Sequence, residues 1–267
     1  MAAPEIALIG AGRMGEALAY GWLRSRRRPE IILVDPAPRP LIEAMAQEEN
    51  LKLNPRAHPV DIAVIAVKPQ IFYKSVEEMA DWVGQDTLVV SIMAGVRTKQ
   101  LLSAFGTSRI IRAMPNTPGA IGKGMSVICA SESATKQDIA TATRLLRPLG
   151  KIEGPVAEQF MSAVTAVSGS GPAYLFLLAE VLAEAGEAAG LTAELAKTLA
   201  RETIIGSARL MDSTGEEASD LRKAVTSKGG TTEAALDILM RGDGMPSLLR
   251  EAVRAAADRE RALSSGK

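Results

Sequence analysis

The sequence predicts an α/β domain built on a doubly wound, mainly parallel sheet, followed by an all-helical domain. Two observations carry this reading. Short Val/Ile-rich runs alternate with helical patterns through the first half, and strand-like runs stop after about Glu153. Strands are expected at Ile6–Ile9, Ile31–Val34, Ile62–Ala66, Leu88–Ile92, Ile110–Ala113 and Met125–Cys129. They are apolar throughout, as strands covered on both faces are. Helices are expected between them at Met14–Ser25, Leu41–Glu49, Ser75–Val83, Thr98–Phe105 and Lys136–Leu146. Strand alternating with helix implies βαβ units and a parallel sheet.

Beyond Glu153, helices are expected at Ala157–Val167, Pro172–Ala189, Ala193–Asp212, Glu216–Val225, Thr232–Met240 and Ser247–Leu263, with glycines at their boundaries. Leu178, Val181, Leu182 and Ala185 recur at helical spacing and form one apolar face. The expected division is therefore residues 1–153 and 154–267. The helical part has Phe160, Tyr174 and Phe176 as its aromatics and is rich in Ala and Leu. Helices this poor in large side chains make a modest core alone, so a homo-oligomer is expected.

Composition narrows the function classes. The chain has 267 residues, with Lys+Arg 31 against Asp+Glu 31. A zero balance lacks the basic excess of a nucleic-acid binder. Local basic clusters at Arg26–Arg28, at Lys52 with Arg56, and from Arg250 to Lys267 read as solvated faces. The lone cysteine, Cys129, cannot form an internal disulfide and sits in a strand pattern, which fits a buried thiol in a reducing compartment. The one histidine, His58, leaves no multi-His zinc site and no plausible Ser-His-Asp triad. No apolar run approaches the ~18–20 residues of a membrane span, and Met1–Glu5 has no basic leader. A cytoplasmic location is expected, with no membrane and no nucleic-acid partner.

Gly10-Ala11-Gly12-Arg13-Met14-Gly15 matches G-x-G-x-x-G directly after a strand and opens a helix. In that context the motif is the dinucleotide-binding fingerprint of a Rossmann-type domain. Gly10 permits the tight turn, Gly12 lets backbone approach a pyrophosphate, and Gly15 lets helix pack on strand. Asp35 stands twenty residues after Gly15, at the end of the next strand, where a carboxylate takes the ribose 2′-hydroxyl. A carboxylate there repels a 2′-phosphate and favours NADH, while nearby Arg39 is the residue type that favours NADPH. Ala66-Val67-Lys68-Pro69, Met93-Ala94-Gly95 and Asn116 each follow a strand, on the side where open α/β sheets bind ligands.

Two Gly/Ser-rich patches mark the helical half. In Val167–Tyr174, Pro172 reads as the first residue of a long helix with Ser170 or Gly171 as its cap. In Val225-Thr226-Ser227-Lys228-Gly229-Gly230-Thr231-Thr232, hydroxyls and backbone N–H groups gather at a helix start, which suits a small carboxylate. The alternative is ordinary capping by Ser227 and Thr231.

GAGRMG, AVKPQ, MPNTP, VTAVSGSGPAY and VTSKGGTTEAAL together resemble the pyrroline-5-carboxylate reductases over essentially the whole chain. The resemblance implies a Rossmann domain plus a helical dimerisation domain. It further implies a homodimer, with dimers joined into larger rings, a decamer among them. Carried over by position, it puts NADPH or NADH contacts at Gly10 to Gly15, Asp35, Asn54 and Ala66 to Pro69. Met93 to Gly95 would lie near the nicotinamide. It gives the substrate Ser227, Gly230, Thr231, Thr232 and Glu158, with residues from both subunits, and makes Thr232 and Ser227 the candidates for contact with the reacting imine. Lys228 stands where many members carry Pro, and Asp35 where NADPH-preferring members carry a small polar residue.

The implied reaction is hydride transfer to the imine carbon of pyrroline-5-carboxylate, giving proline. An imine can arrive protonated, so the chain needs no strong acid, whereas a ketone reductase usually does. A β-hydroxyacid dehydrogenase is disfavoured, because Gly171 is followed by neither the Lys nor the Asn of such sites. A six-membered cyclic imine remains open, since one methylene gives only ~1–3 kcal/mol of discrimination. A non-catalytic nucleotide-binding module is the remaining alternative.

Overall fold

The computed structural model describes residues 3–25, 28–49 and 51–264. Met1 of the expected leaderless start, Arg26 and Arg27 of the first basic cluster, and Ser265–Lys267 of the basic tail lie outside the described residues.

Among the described residues, eight strands form one sheet: β1 (Glu5–Ile9), β2 (Glu30–Val34), β3 (Lys52–Leu53), β4 (Ile62–Ile65), β5 (Leu88–Ser91), β6 (Ile110–Met114), β7 (Gly124–Ala130) and β8 (Gly150–Glu153). Their order is β3-β2-β1-β4-β5-β6-β7-β8. Every neighbouring pair is parallel except β6–β7. β1 therefore sits between β2 and β4, and the winding reverses there, which is where such sheets open a ligand crevice. Ile9 pairs with Val34 on one side and Ile65 on the other. That register brings Gly10, Asp35 and Ala66 out of the sheet side by side.

Alternation along the strands builds a core on each face. Ile6 and Leu8 pack with α1 (Arg13–Leu23), α2 (Pro40–Glu48) and α5 (Lys136–Leu146). Ala7 and Ile9 pack with α3 (Pro69–Ala80) and α4 (Thr98–Phe105). Trp22 Nε1 donates to the Leu145 carbonyl at 2.7 Å and fastens α1 to α5.

The expected strands and the mainly parallel sheet are present, and four details differ. β3 and β8 escaped the sequence reading because one is two residues long and the other alternates Lys and Glu with half-buried residues. α3 begins at Pro69 rather than Ser75, since Pro69 supplies a first-turn φ and Ser75 is a non-helical joint (φ −125°, ψ 24°). Pro172 does not start a capped helix. α6 (Met161–Val164) runs through a π turn at Thr165–Gly169 into α7 (Gly171–Ala188). The Ser170 N–H bonds the Thr165 carbonyl five residues back. That shift of register lets the helix pass through a residue with no N–H. Finally, among the described residues Glu158–Ala188 is long and apolar enough to cross a membrane by length and composition. The sequence expectation missed it because Gly, Ser and Pro, rather than charge, interrupt the run.

The chain divides into two compact units, residues 1–170 with 256–267, and residues 171–255. Both differ from a boundary at 153/154, because Met161 packs with Val127 and Cys129, and Glu260 pairs with Arg112 of β6. The second unit contains α7, α8 (Ala193–Thr214), α9 (Ala218–Ala224), α10 (Thr231–Leu239) and the start of α11 (Met245–Ser264). Within it, Leu175, Phe176 and Leu177 of α7 are exposed, Phe176 by 68%.

Candidate active site

The glycine loop divides its three glycines by role. Gly10 has φ +94°, and a Cβ there would lie 2.8 Å from the Ala66 carbonyl carbon and oxygen. A Cβ on Gly15 would lie 2.3 Å from the Gly10 carbonyl oxygen. A Cβ on Gly12 would meet nothing within 4 Å. Two glycines thus close the loop and the third faces open space. Gly12 is also the N-cap of α1 and makes no side-chain cap bond, so the first-turn N–H groups stay available to an anion. This open cradle fits a pyrophosphate.

Asp35 is held firmly beside the loop. Its Oδ2 accepts from Ala11 N–H at 2.7 Å and its Oδ1 from Ala37 N–H at 2.9 Å. Asn54, in a left-handed conformation at φ 49°, accepts from Asp35 N–H and donates to the Asp35 carbonyl, both at 2.8 Å. A cavity of about 670 Å³ opens in front of these groups, lined by Gly10, Gly12, Asp35, Asn54, Ala66, Val67 and Lys68. Lys68 is exposed at the cap of α3 and has no ion pair among the described residues.

The other expected coenzyme residues stand outside that cavity. Ala11 is buried behind Asp35, Arg13 and Met14 occupy the first turn of α1, and Pro69 opens α3. Met93 is buried, Ala94 is half-buried, and Gly95 has φ +72° with Leu263 3.4 Å from its virtual Cβ. The Asn116 amide is occupied: its Oδ1 accepts from Met125 N–H at 2.8 Å, and its Nδ2 donates to Ser168 Oγ at 3.3 Å. Sequence reasoning missed the far wall, where Ile71, Ser75, Glu78 and Trp82 line the cavity. Their three- and four-residue spacing in the sequence after Lys68-Pro69 was the available signal.

Glu158 is tied into a buried charge network. Its Oε1 accepts from Thr98 N–H at 2.7 Å, Thr98 Oγ1 at 2.9 Å and Arg112 Nη1 at 3.4 Å. Arg112, 2% exposed, also donates to Glu260 Oε1 at 2.8 Å. Glu260 receives Ser162 and Ser264 hydroxyls as well. Burial pushes the Glu260 carboxyl up, but the bonds from Ser162, Arg112 and Ser264 prevail and hold it below its ordinary value. Burial raises the nearby Cys129 thiol, the direction of an unreactive cysteine.

In the helical unit, Gly229 at φ +70° turns the chain into α10. Its N–H donates to Glu233 Oε2 at 2.6 Å, and Gly230 N–H donates to the Ser227 carbonyl at 3.0 Å. A Cβ on Gly230 would lie 2.5 Å from Ser227 Oγ. The N-cap is Gly230, with no side-chain cap bond. The capping alternative for Ser227 and Thr231 is therefore not what forms. Among the described residues the hydroxyls of Ser227, Thr231 and Thr232 have no hydrogen-bond partner, so three hydroxyls and a helix N-terminus share one turn.

The chain as a whole is similar to known proteins. Residues 158–263 match a family model described as pyrroline-5-carboxylate reductase dimerisation, and residues 5–95 match one described as NADP oxidoreductase coenzyme F420-dependent. A pyrroline-5-carboxylate reductase of Pisum sativum is 37% identical, covering 97% of this chain and 96% of its own length. The structure is similar to that of a pyrroline-5-carboxylate reductase from Coxiella burnetii, at TM-score 0.88 and 32% identity over 98% of both chains. It is also similar to a pyrroline carboxylate reductase from Plasmodium falciparum solved with NADP bound, at TM-score 0.81 and 28% identity over 99% of both chains. On the Rossmann-type sheet, the dimerisation region and full-length relatives above 30% identity, the chain belongs to the pyrroline-5-carboxylate reductase family.

Proposed function

We propose that the chain reduces pyrroline-5-carboxylate to proline with a nicotinamide dinucleotide, the glycine loop holding the coenzyme and the Ser227–Thr232 turn holding the substrate. The observation that carries this is the occurrence of both an open Gly12 cradle and a separate turn whose three hydroxyls have no hydrogen-bond partner among the described residues. When bound, the reduced coenzyme supplies the hydride that the imine carbon receives. The imine nitrogen carries one proton when the carbon accepts hydride and becomes a neutral secondary amine, which takes a second proton from solvent on release. A substrate that arrives as the iminium already carries the first proton, so positioning is the chain's main task.

Each residue then has a task it can perform as placed. The first-turn N–H groups of α1, beside Gly12, Arg13 and Met14, receive the pyrophosphate. Asp35, fixed by Ala11, Ala37 and Asn54, keeps lone pairs for a ribose hydroxyl. Ala66–Lys68 and Pro69 form the adjoining wall, and Lys68 offers its ammonium there. Met93, Ala94 and Gly95 present small or buried groups to the nicotinamide end. Ser227, Gly230 and Thr231 bind the carboxylate, and Thr232 donates to or accepts from the ring nitrogen. Glu158 and Asn116 act as positioning residues, since their polar atoms already hold Thr98 and Met125.

NADH acceptance follows from Asp35, and we propose that it exceeds use of NADPH. We further propose a homodimer through the helical unit, because Phe176 and its neighbours leave an apolar face exposed, with dimers joining into larger rings. A cytoplasmic location agrees with the buried lone cysteine. The test is turnover of pyrroline-5-carboxylate with each coenzyme, alongside a six-membered cyclic imine. Turnover of the five-membered ring supports the proposal, and exclusive turnover of the six-membered ring moves the assignment to a related imine reductase.

A further inference from the structure

We infer that Glu16 and Arg39 form a counter-ion pair that withholds Arg39 from a phosphate at the adenosine 2′ position, making Glu16 a specificity-determining residue. The inference rests on the reading of Asp35 as the ribose-side carboxylate and deepens it. Arg39 is the N-cap of α2, four residues beyond Asp35. It is the residue type and place from which a Rossmann-type domain recognises a 2′-phosphate. Here, however, its Nη1 donates to Glu16 Oε2 at 2.7 Å.

Glu16 is well placed to keep that contact. It lies on the first turn of α1, where its N–H bonds the Gly12 carbonyl at 2.8 Å. Its side chain is 18% exposed, against 46% for Arg39. The pair thus spans from α1 to the start of α2, beside the loop that Asp35 holds through Ala11. A 2′-phosphate carries up to two negative charges. It would meet Asp35 and a guanidinium whose charge Glu16 already balances. The wall of the cavity adds Glu78 and Asp81 against one cation, Lys68. A bare 2′-hydroxyl meets no such opposition.

The experiment measures binding of nucleotide fragments by titration calorimetry, with no turnover involved. The probes are adenosine 2′,5′-bisphosphate and adenosine 5′-monophosphate, which differ only in the 2′-phosphate. Glu16→Gln is expected to tighten the bisphosphate about tenfold, the size of one charge-assisted hydrogen bond, and to leave the monophosphate within about twofold. Arg39→Gln alone should change neither probe by more than about threefold, and in the Glu16→Gln background it should abolish the gain. Both side chains are solvent-accessible, so an unchanged Tm checks that the variants fold. An equal effect of Glu16→Gln on both probes, or none on either, would overturn the inference. So would a tenfold loss of bisphosphate binding in Arg39→Gln alone. Asp35→Ser separates the two claims: if it alters neither probe while Glu16→Gln selectively tightens the bisphosphate, the ribose reading fails and the pair stands.

Discussion

Replacing each glycine of the loop by alanine separates folding from coenzyme binding. Gly15→Ala puts a methyl 2.3 Å from the Gly10 carbonyl oxygen, a backbone atom that a side-chain rotation cannot move. Overpacking of this kind costs about 1–3 kcal/mol. Gly10→Ala adds a positive-φ penalty of about 1–2 kcal/mol to a contact of 2.8 Å with Ala66. At about 2–4 °C per kcal/mol for a chain of this size, both should lower Tm by about 2–12 °C or more. Gly12→Ala differs. Its backbone is extended at φ −65° and ψ −172°, which alanine adopts freely, and its methyl meets no protein atom within 4 Å. Its Tm should stay within about 2 °C, while coenzyme binding weakens at least tenfold because the methyl fills the cradle. Differential scanning fluorimetry and coenzyme titration read the two effects. If Gly12→Ala lowers Tm as much as Gly15→Ala, or leaves coenzyme Kd unchanged, the division of roles is wrong.

Four other outcomes are expected. Thr232→Ala should lower kcat/KM for the imine about tenfold to a hundredfold, the loss of one hydrogen bond to a charged group, with coenzyme Kd unchanged; equal loss of both would remove Thr232 from the substrate site. Asp35→Ser should shift the kcat/KM ratio toward NADPH, and an unchanged ratio would refute the ribose role. Glu260→Gln removes the closer of the two carboxylates on buried Arg112, leaving Glu158 at 3.4 Å, and should cost up to about 3 kcal/mol at neutral pH, the low end of the range for breaking a buried pair. Because the folded Glu260 carboxyl sits below its ordinary 4.5, its stabilisation is present above that value and lost as pH falls through the lower folded value; the gap in Tm between native and variant should narrow below about pH 4.5. Phe176→Asp, on a side chain 68% exposed in the single chain, should dissociate the dimer in light scattering, and an unchanged mass would place the interface elsewhere.

The central strands were legible because β1, β4, β5 and β6 carry apolar residues toward both faces, a pattern with few competing explanations. The glycine loop was legible for a similar reason, since strand, three glycines and helix must coincide. What stayed hidden was long-range or polar. Arg112 sits inside an apolar strand, and its partner Glu260 is 148 residues away, so nothing local announced a buried pair. β8 alternates polar and half-buried residues at the sheet edge and carries no apolar run. The π turn at Thr165–Gly169 depends on a shift of one hydrogen-bond register, which periodicity does not resolve. In the Ser227–Thr232 turn the residues were legible, but their arrangement was not: only the structure gives the cap to Gly230 and leaves the Ser227, Thr231 and Thr232 hydroxyls without a partner among the described residues.

The most direct test of the account is oxidation of the reduced coenzyme, followed by absorbance, with pyrroline-5-carboxylate as acceptor and with NADH and NADPH compared at equal concentration. Turnover to proline is expected with both, faster with NADH. Tight coenzyme binding without turnover of pyrroline-5-carboxylate by either would contradict it.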